Sequence, residues 1–171
     1  MKFDWYSFPK QFNSEQLAQI RAPFQHTEQE DNGVKLRHTA RAWFRDVHPH
    51  IATLYDKCTL TNDYYWGYDC WQNHATDECL LNTYTVGERY DWHVDKTQDT
   101  VMDQKLTILI NVSDAPYKGG ELEFMIDKCY PVQFNPGDAV MFRSLLLHRV
   151  TPVTEGARQS VTIWMKGPAF R

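Results

Sequence analysis

The stretch Leu80-Leu81-Asn82-Thr83-Tyr84-Thr85-Val86, the pair Gly87-Glu88, and then Tyr90-Asp91-Trp92-His93-Val94-Asp95 read as strand, turn and strand. Aromatic and β-branched residues favour a pleated backbone, and glycine interrupts it. The same pattern continues towards the C-terminus. Lys105 to Val112, Glu121 to Phe124, Ala139 to Phe142 and Arg158 to Met165 read as strands, and Tyr64-Tyr65-Trp66-Gly67-Tyr68 as another. Between them stand Pro116 with Gly119-Gly120, Asn135-Pro136-Gly137-Asp138, and Glu155-Gly156. Many short strands with regular turns imply a sandwich or barrel.

Working back towards the N-terminus, the spacing becomes helical. A first helix is predicted to start at Asn13 or Ser14, with Leu17 and Ile20 on its apolar side and Pro23 ending it. Val34 to Phe44 reads as a strand. Pro49 to Cys58 reads as a helix, because Ile51, Leu54, Tyr55 and Cys58 recur at its period and Pro49 suits a first turn. The expected architecture is mostly β with flanking α-helices. It is a double-stranded β-helix, or jelly roll, packed under N-terminal helices. With 171 residues the chain is expected to be one domain, helical cover over about residues 1–60 and jelly-roll core over about 61–171.

Composition narrows the function classes. The net charge is −4, which speaks against a duplex nucleic-acid binder with its basic patch. Cys58, Cys70, Cys79 and Cys129 include no Cys-x-x-Cys pair, so a zinc ribbon or thioredoxin-like site is not expected. They are too sparse for a secreted disulfide scaffold. Met1-Lys2-Phe3-Asp4-Trp5 lacks a basic stretch followed by an apolar run, and no apolar run approaches a membrane span. A cytoplasmic location and no membrane partner are expected, with the oligomeric state left open.

Alternate residues of a strand share a face, so His93 and Asp95 point one way while Trp92 and Val94 point the other. One strand can thus deliver two ligands to one ion, with His148 brought in from far along the chain. Two imidazoles and one carboxylate hold one face of an octahedral ferrous ion and leave the other open. His-x-Asp alone is a common chance pattern. His26, His38, His48, His50 and His74 have no comparable context.

Arg158, Ser160, Thr162 and Trp164 share one face of the last strand, and Gln159, Val161 and Ile163 the other. A guanidinium buried inside a barrel needs an anion, which a ligand carboxylate supplies through two parallel hydrogen bonds. Ser160 and Thr162 hydroxyls would complete the cradle. Fe(II) with one Asp ligand leaves a local charge of about +1. A dicarboxylate such as 2-oxoglutarate together with Arg158 brings the pocket near neutrality.

The motifs Tyr84-x-x-Gly87-x-x-Tyr90-x-x-His93-Val94-Asp95, Gly119-Gly120-Glu121-Leu122, Pro136-Gly137-Asp138 and Phe142 stand in one order with His148-Arg149-Val150-x-Pro152-Val153-x-x-Gly156-x-Arg158-x-Ser160 and Trp164. In this the chain resembles the prolyl 4-hydroxylase-like branch of the 2-oxoglutarate/Fe(II)-dependent dioxygenases, most of all the small stand-alone bacterial and phage members. The resemblance implies His93, Asp95 and His148 as catalytic iron ligands and Arg158 as the partner of the distal carboxylate of 2-oxoglutarate. It implies Ser160 or Thr162 as its helpers and Tyr84 as a hydrogen-bonding group from the neighbouring strand. Lys105, Thr107, Leu109 and Asn111 would line the pocket, with Leu106, Ile108 and Ile110 packing outside.

Implied with these are dioxygen as co-substrate, ascorbate as accessory reductant, and hydroxylation of a prolyl or other amino-acid residue with release of succinate and CO2. Asp95 favours hydroxylation, since related halogenases carry a small residue there. Collagen-type prolyl hydroxylases carry Lys at the position of Arg158, and base-repairing demethylases a second Arg at the position of Trp164. Lys96 to Gln104 reads as a lid or a plain loop, and Tyr64, Tyr65, Trp66, Tyr68 and Trp71 as a groove for a proline-bearing peptide or as strand core. Three alternatives stand beside the leading reading: a hydroxylase of a free amino acid or other small molecule, a non-catalytic metal-binding jelly roll, and a zinc hydrolase.

Overall fold

The computed structural model describes residues 4–95 and 101–170. Helix α1 (Ser14–Arg21) starts on a reciprocal cap: the Asn13 side chain accepts from the Gln16 amide, and the Gln16 side chain accepts from the Asn13 amide. Helix α2 (Phe44–Tyr65) is longer than its spacing predicts, at 22 residues. Pro49 therefore lies inside it. The first amides of α2 lack a capping side chain; those of Phe44 and Arg45 donate instead to the carbonyls of Asp77 and Ala75. Tertiary contacts thus extend the helix one turn before Pro49. They extend it at the other end too: Tyr64 and Tyr65 close α2, Trp66 follows it, and Tyr64-Tyr65-Trp66-Gly67-Tyr68 is not a strand.

The strands are β1 (Trp5–Phe8), β2 (Thr27–Asp31), β3 (Lys35–Trp43), β4 (Glu78–Tyr84), β5 (Arg89–His93), β6 (Met102–Asn111), β7 (Lys118–Gly119), β8 (Leu122–Met125), β9 (Cys129–Val132), β10 (Ala139–Arg143), β11 (Leu147–Val150), β12 (Val153–Glu155) and β13 (Arg158–Pro168). The segment expected as helical cover thus also contributes three strands. Of the expected lid, Met102 to Gln104 belong to β6, and residues 96–100 lie outside the described residues.

One antiparallel sheet runs β1-β10-β6-β13-β4-β3-β5-β11-β8-β9, with β2 beside β3, and β12-β7 form a separate ribbon. Strand β3 makes the sheet curl. Its residues His38 to Trp43 pair with β4, and Lys35 and Leu36 pair with β5. The halves on either side of β3 enclose a cavity between their inner faces. At the far edge, β9 carries Pro131, which has no amide to offer a further strand.

The helices cover the outer face of the larger half. Leu106, Ile108 and Ile110 of β6 and Val161 and Ile163 of β13 are buried against Leu17 and Ile20 of α1 and Val47, Ile51, Leu54 and Cys58 of α2. Each such aliphatic side chain contributes about 1.5–3 kcal/mol by leaving water. A second cluster, including Leu109, Phe124, Phe134, Val140 and Phe142, fills the inside of the curl. Alternation along β6 and β13 therefore divides helix-facing from cavity-facing residues. A bulge in β6 interrupts it: Leu106 and Gln104 pair with the consecutive Met165 and Lys166, and Lys105 is the extra residue. Lys105 consequently does not line the inner cavity; its Nζ sits 3.4 Å over the ring of Phe170. Among the described residues no helix is long and apolar enough to cross a membrane.

Candidate active site

Strands β5 and β11 pair so that His93 stands directly opposite His148. Their rings lie 4.1 Å apart between centroids. Strand β5 ends at His93, earlier than the sequence suggests, and the chain turns so that the Asp95 amide donates to the carbonyl of Ser144 at 2.8 Å. That turn brings Oδ1 of Asp95 to 3.7 Å from Nε2 of His93 and 3.8 Å from Nε2 of His148. One ligand atom from each residue lies within 4.8 Å of the others.

Hydrogen bonds behind these groups fix which atoms face the centre. His93 Nδ1 lies 2.7 Å from the carbonyl of Asp91, and His148 Nδ1 lies 2.8 Å from that of Leu146. Carbonyls only accept, so both Nδ1 atoms carry the proton and both Nε2 lone pairs face Asp95. Oδ2 of Asp95 accepts from Thr107 Oγ1 at 2.8 Å and from Trp164 Nε1 at 3.1 Å. Its other oxygen remains for a ligand. Burial, with His148 alongside, pushes the His93 imidazole down to about 4, which keeps it neutral near pH 7. Tyr90 stacks flat on His93, at 3.4 Å between centroids and 7° between planes.

The inner cavity, about 280 Å³, runs from this cluster to Arg158. Arg158 is fully buried, and among the described residues its guanidinium makes one hydrogen bond, from Nη1 to Ser160 Oγ at 3.0 Å. Its Nε and Nη2 are buried without a partner among the described residues. The guanidinium lies 5.4 Å from the ring centroids of both Tyr84 and Phe134. Gly120 makes room for it: at φ +61°, an added Cβ would stand 2.9 Å from Cδ of Arg158. Thr162 lines the same cavity but accepts from Asn82 Nδ2 at 3.1 Å, and the Tyr84 hydroxyl accepts from Arg37 at 3.3 Å. Two donors of a fully desolvated cation are thus left for an anion.

Several residues that the sequence did not single out complete the site. Ser144 hydrogen-bonds Thr107 at 2.9 Å. Arg37 lies 4.8 Å over the Tyr90 ring and donates to Glu30 at 2.8 Å. Burial would raise the Glu30 carboxyl, but Arg37, Lys35 and Thr39 outweigh it and pull it down to about 2. The alternation of Lys35, Arg37, Thr39 and Arg41 was the available signal. Asn111, expected in the pocket, instead donates to the carbonyl of Phe134 at 2.7 Å. Tyr64, Tyr65, Trp66, Tyr68 and Trp71 do not line this cavity; Tyr68 and Trp71 line a different one of about 800 Å³ along α2. Burial pushes the thiols of Cys70 and Cys79 up to about 11 and about 12, which suits no nucleophile.

Residues 79–166 match the family model of the 2OG-Fe(II) oxygenase superfamily. A PKHD-type hydroxylase of Psychrobacter sp. (strain PRwf-1) is 34% identical over 96 residues, which is 51% of this chain and 37% of the relative. This match spans well under half of that relative's length. Among solved structures, a prolyl-4-hydroxylase of Pseudomonas putida superposes with a TM-score of 0.73 at 17% identity, covering 97% of this chain and 94% of that one. A prolyl hydroxylase of Trichoplax adhaerens, in complex with a peptide fragment of hypoxia inducible factor, gives 0.71 at 16% identity, covering 95% and 83%. At these identities the likeness is one of fold.

Proposed function

The chain belongs to the 2OG-Fe(II) oxygenase superfamily, and from that premise we propose that it hydroxylates a C–H bond, most favourably of a prolyl or other amino-acid residue, with release of succinate and CO2. The observation that carries this is the buried, half-satisfied guanidinium of Arg158 at one end of a cavity whose other end holds the bare Nε2 atoms of His93 and His148 beside Oδ1 of Asp95. A zinc hydrolase or a purely structural metal site has no use for that cation.

The residues fit the family's cofactors. Two neutral imidazoles and a carboxylate are a donor set for Fe(II). Arg158 can take a terminal carboxylate of 2-oxoglutarate through Nε and Nη2, with Ser160 steadying Nη1 and the Tyr84 hydroxyl and Thr162 beside it. Bound together, iron and 2-oxoglutarate supply dioxygen activation and the oxidative decarboxylation that leaves succinate. The protein's part is placement. The carbonyls of Asp91 and Leu146 hold the imidazoles in one tautomer, Thr107 and Trp164 turn one carboxylate oxygen to the metal, and the apolar walls Leu109 and Leu122 keep water from the reacting face.

The amino-acyl substrate class is supported by the names of the similar proteins, and the four free thiols fit the cytoplasmic location expected from the sequence. The test is incubation of iron-loaded protein with 2-oxoglutarate and a panel of prolyl peptides and free amino acids. Stoichiometric succinate and a substrate heavier by one oxygen are expected. Binding of 2-oxoglutarate without turnover on any of them would remove the proposed substrate class.

A further inference from the structure

We infer that Lys35, Arg37 and Arg41, on one face of β3, form a subsite for a carboxylate carried by the substrate. This rests on the hydroxylase reading above and narrows its substrate class. All three residues line the inner cavity, as does Arg158. Among the described residues the acids on the same wall are Glu30 and Asp95. Asp95 faces the two imidazoles, and Arg158 lies apart at the buried end. What remains on this wall is three cations and Glu30, with Glu78 reaching Arg41 from outside it.

The hydrogen bonding shows the same shortage. Lys35 and Arg37 share a single oxygen of Glu30, at 3.1 and 2.8 Å. Arg41 pairs with Glu78 at 3.2 Å, but both side chains are about half exposed, and a pair of that kind costs little to open. The whole chain carries a net charge of −4, so this cavity is a cationic recess in an acidic protein. Such a recess concentrates anions and repels cations. Arg37 is buried and held by Glu30, the Tyr84 hydroxyl and the Tyr90 ring, so it supplies fixed charge. Lys35 and Arg41, more exposed than Arg37, are each held by a single ion pair that a ligand carboxylate can replace.

The carboxylate has two chemical sources: an Asp or Glu beside the target residue of a peptide, or the free α-carboxylate of a single amino acid. The test measures equilibrium binding, without oxygen, to protein loaded with Fe(II) and 2-oxoglutarate. One arm uses short proline-centred peptides with Glu, Gln or Lys next to proline. The other compares free proline with prolinamide. In the arm carrying the true source, the acidic ligand should bind at least roughly fivefold more tightly than its neutral counterpart, with the advantage shrinking as salt rises.

Lys35→Gln with Arg41→Gln should erase that preference, and Arg41→Glu should turn it towards the lysine peptide. Neither change touches Arg158, so affinity for 2-oxoglutarate should hold and report intact folding. Equal affinity for acidic and neutral ligands in both arms would overturn the subsite, as would a preference that survives the double change. Acid preference without turnover on any ligand would count against the hydroxylase reading alone.

Discussion

The indole N–H of Trp164 donates to Oδ2 of Asp95 at 3.1 Å across the cavity. With Thr107 on the same oxygen, it leaves Oδ1 facing the Nε2 atoms of His93 and His148. Trp164→Phe removes this donor while keeping a large ring. Metal affinity should fall about tenfold or more, the usual cost of losing such an outer partner, while the thermal midpoint changes little. Unchanged affinity in a metal titration would mean that Thr107 alone orients the carboxylate.

The role proposed for Arg158 implies a cost in the ligand-free protein. Its unpartnered Nε and Nη2 are a desolvation cost that an apolar side chain avoids. Arg158→Met should therefore raise the unfolding free energy of the ligand-free protein, by an amount on the order of 1–3 kcal/mol, while weakening 2-oxoglutarate binding more than a hundredfold, the order expected for a buried charge pair. In the parent protein 2-oxoglutarate at about 100 times its Kd should add about 2.7 kcal/mol. Denaturant titrations with and without 2-oxoglutarate measure both effects. Destabilisation of the ligand-free variant would show that the guanidinium is already satisfied.

Gly120 tests the same cradle through the backbone. Its φ of +61° and the 2.9 Å from an added Cβ to Arg158 Cδ leave Gly120→Ala both strained and crowded. A cost of about 1–3 kcal/mol is expected. The affinity for 2-oxoglutarate should drop with it, because Cδ must move. Full 2-oxoglutarate affinity in the alanine variant would show that the cradle tolerates the displacement.

Glu30 sets an acid limit. Its carboxyl is held at about 2 against an ordinary value of 4.5, so the folded state binds its proton later than the unfolded chain does. The stabilisation is complete above pH 4.5 and is lost as the pH falls through about 2. Unfolding measured from pH 6 to 2 should show stability declining in that window, and Glu30→Gln should flatten the decline. An unaltered slope in Glu30→Gln would assign it to other carboxylates.

Much of this was legible because it depends on local rules. The closeness in sequence of His93 and Asp95, the alternation through Arg158, Ser160 and Thr162, and the glycine turns each report on neighbours in sequence, although a turn after β5, not strand alternation, aims Asp95. What was not legible depends on distant partners. β1 exists because Trp5 to Phe8 pair with Ala139 to Phe142. The early start of α2 depends on carbonyls of residues 75 and 77, and Tyr64 and Tyr65 are helical because α2 runs on through them. Lys105 leaves the expected face because it is the extra residue of a bulge in β6, skipped where Leu106 and Gln104 pair with the consecutive Met165 and Lys166 of β13. Arg37 has no motif of its own; its place over Tyr90 follows from the handover of β3 from one half of the sheet to the other.

The central claim is that His93, Asp95 and His148 hold one ion and that Arg158 holds the far end of one dicarboxylate. Calorimetric titration of the purified protein, first with Fe(II) under anaerobic conditions and then with 2-oxoglutarate, tests it directly. One metal and one 2-oxoglutarate per chain are expected, with Asp95→Ala losing the metal and Arg158→Met losing only the 2-oxoglutarate. Retention of the metal by Asp95→Ala, or an unchanged 2-oxoglutarate affinity in Arg158→Met, would contradict it.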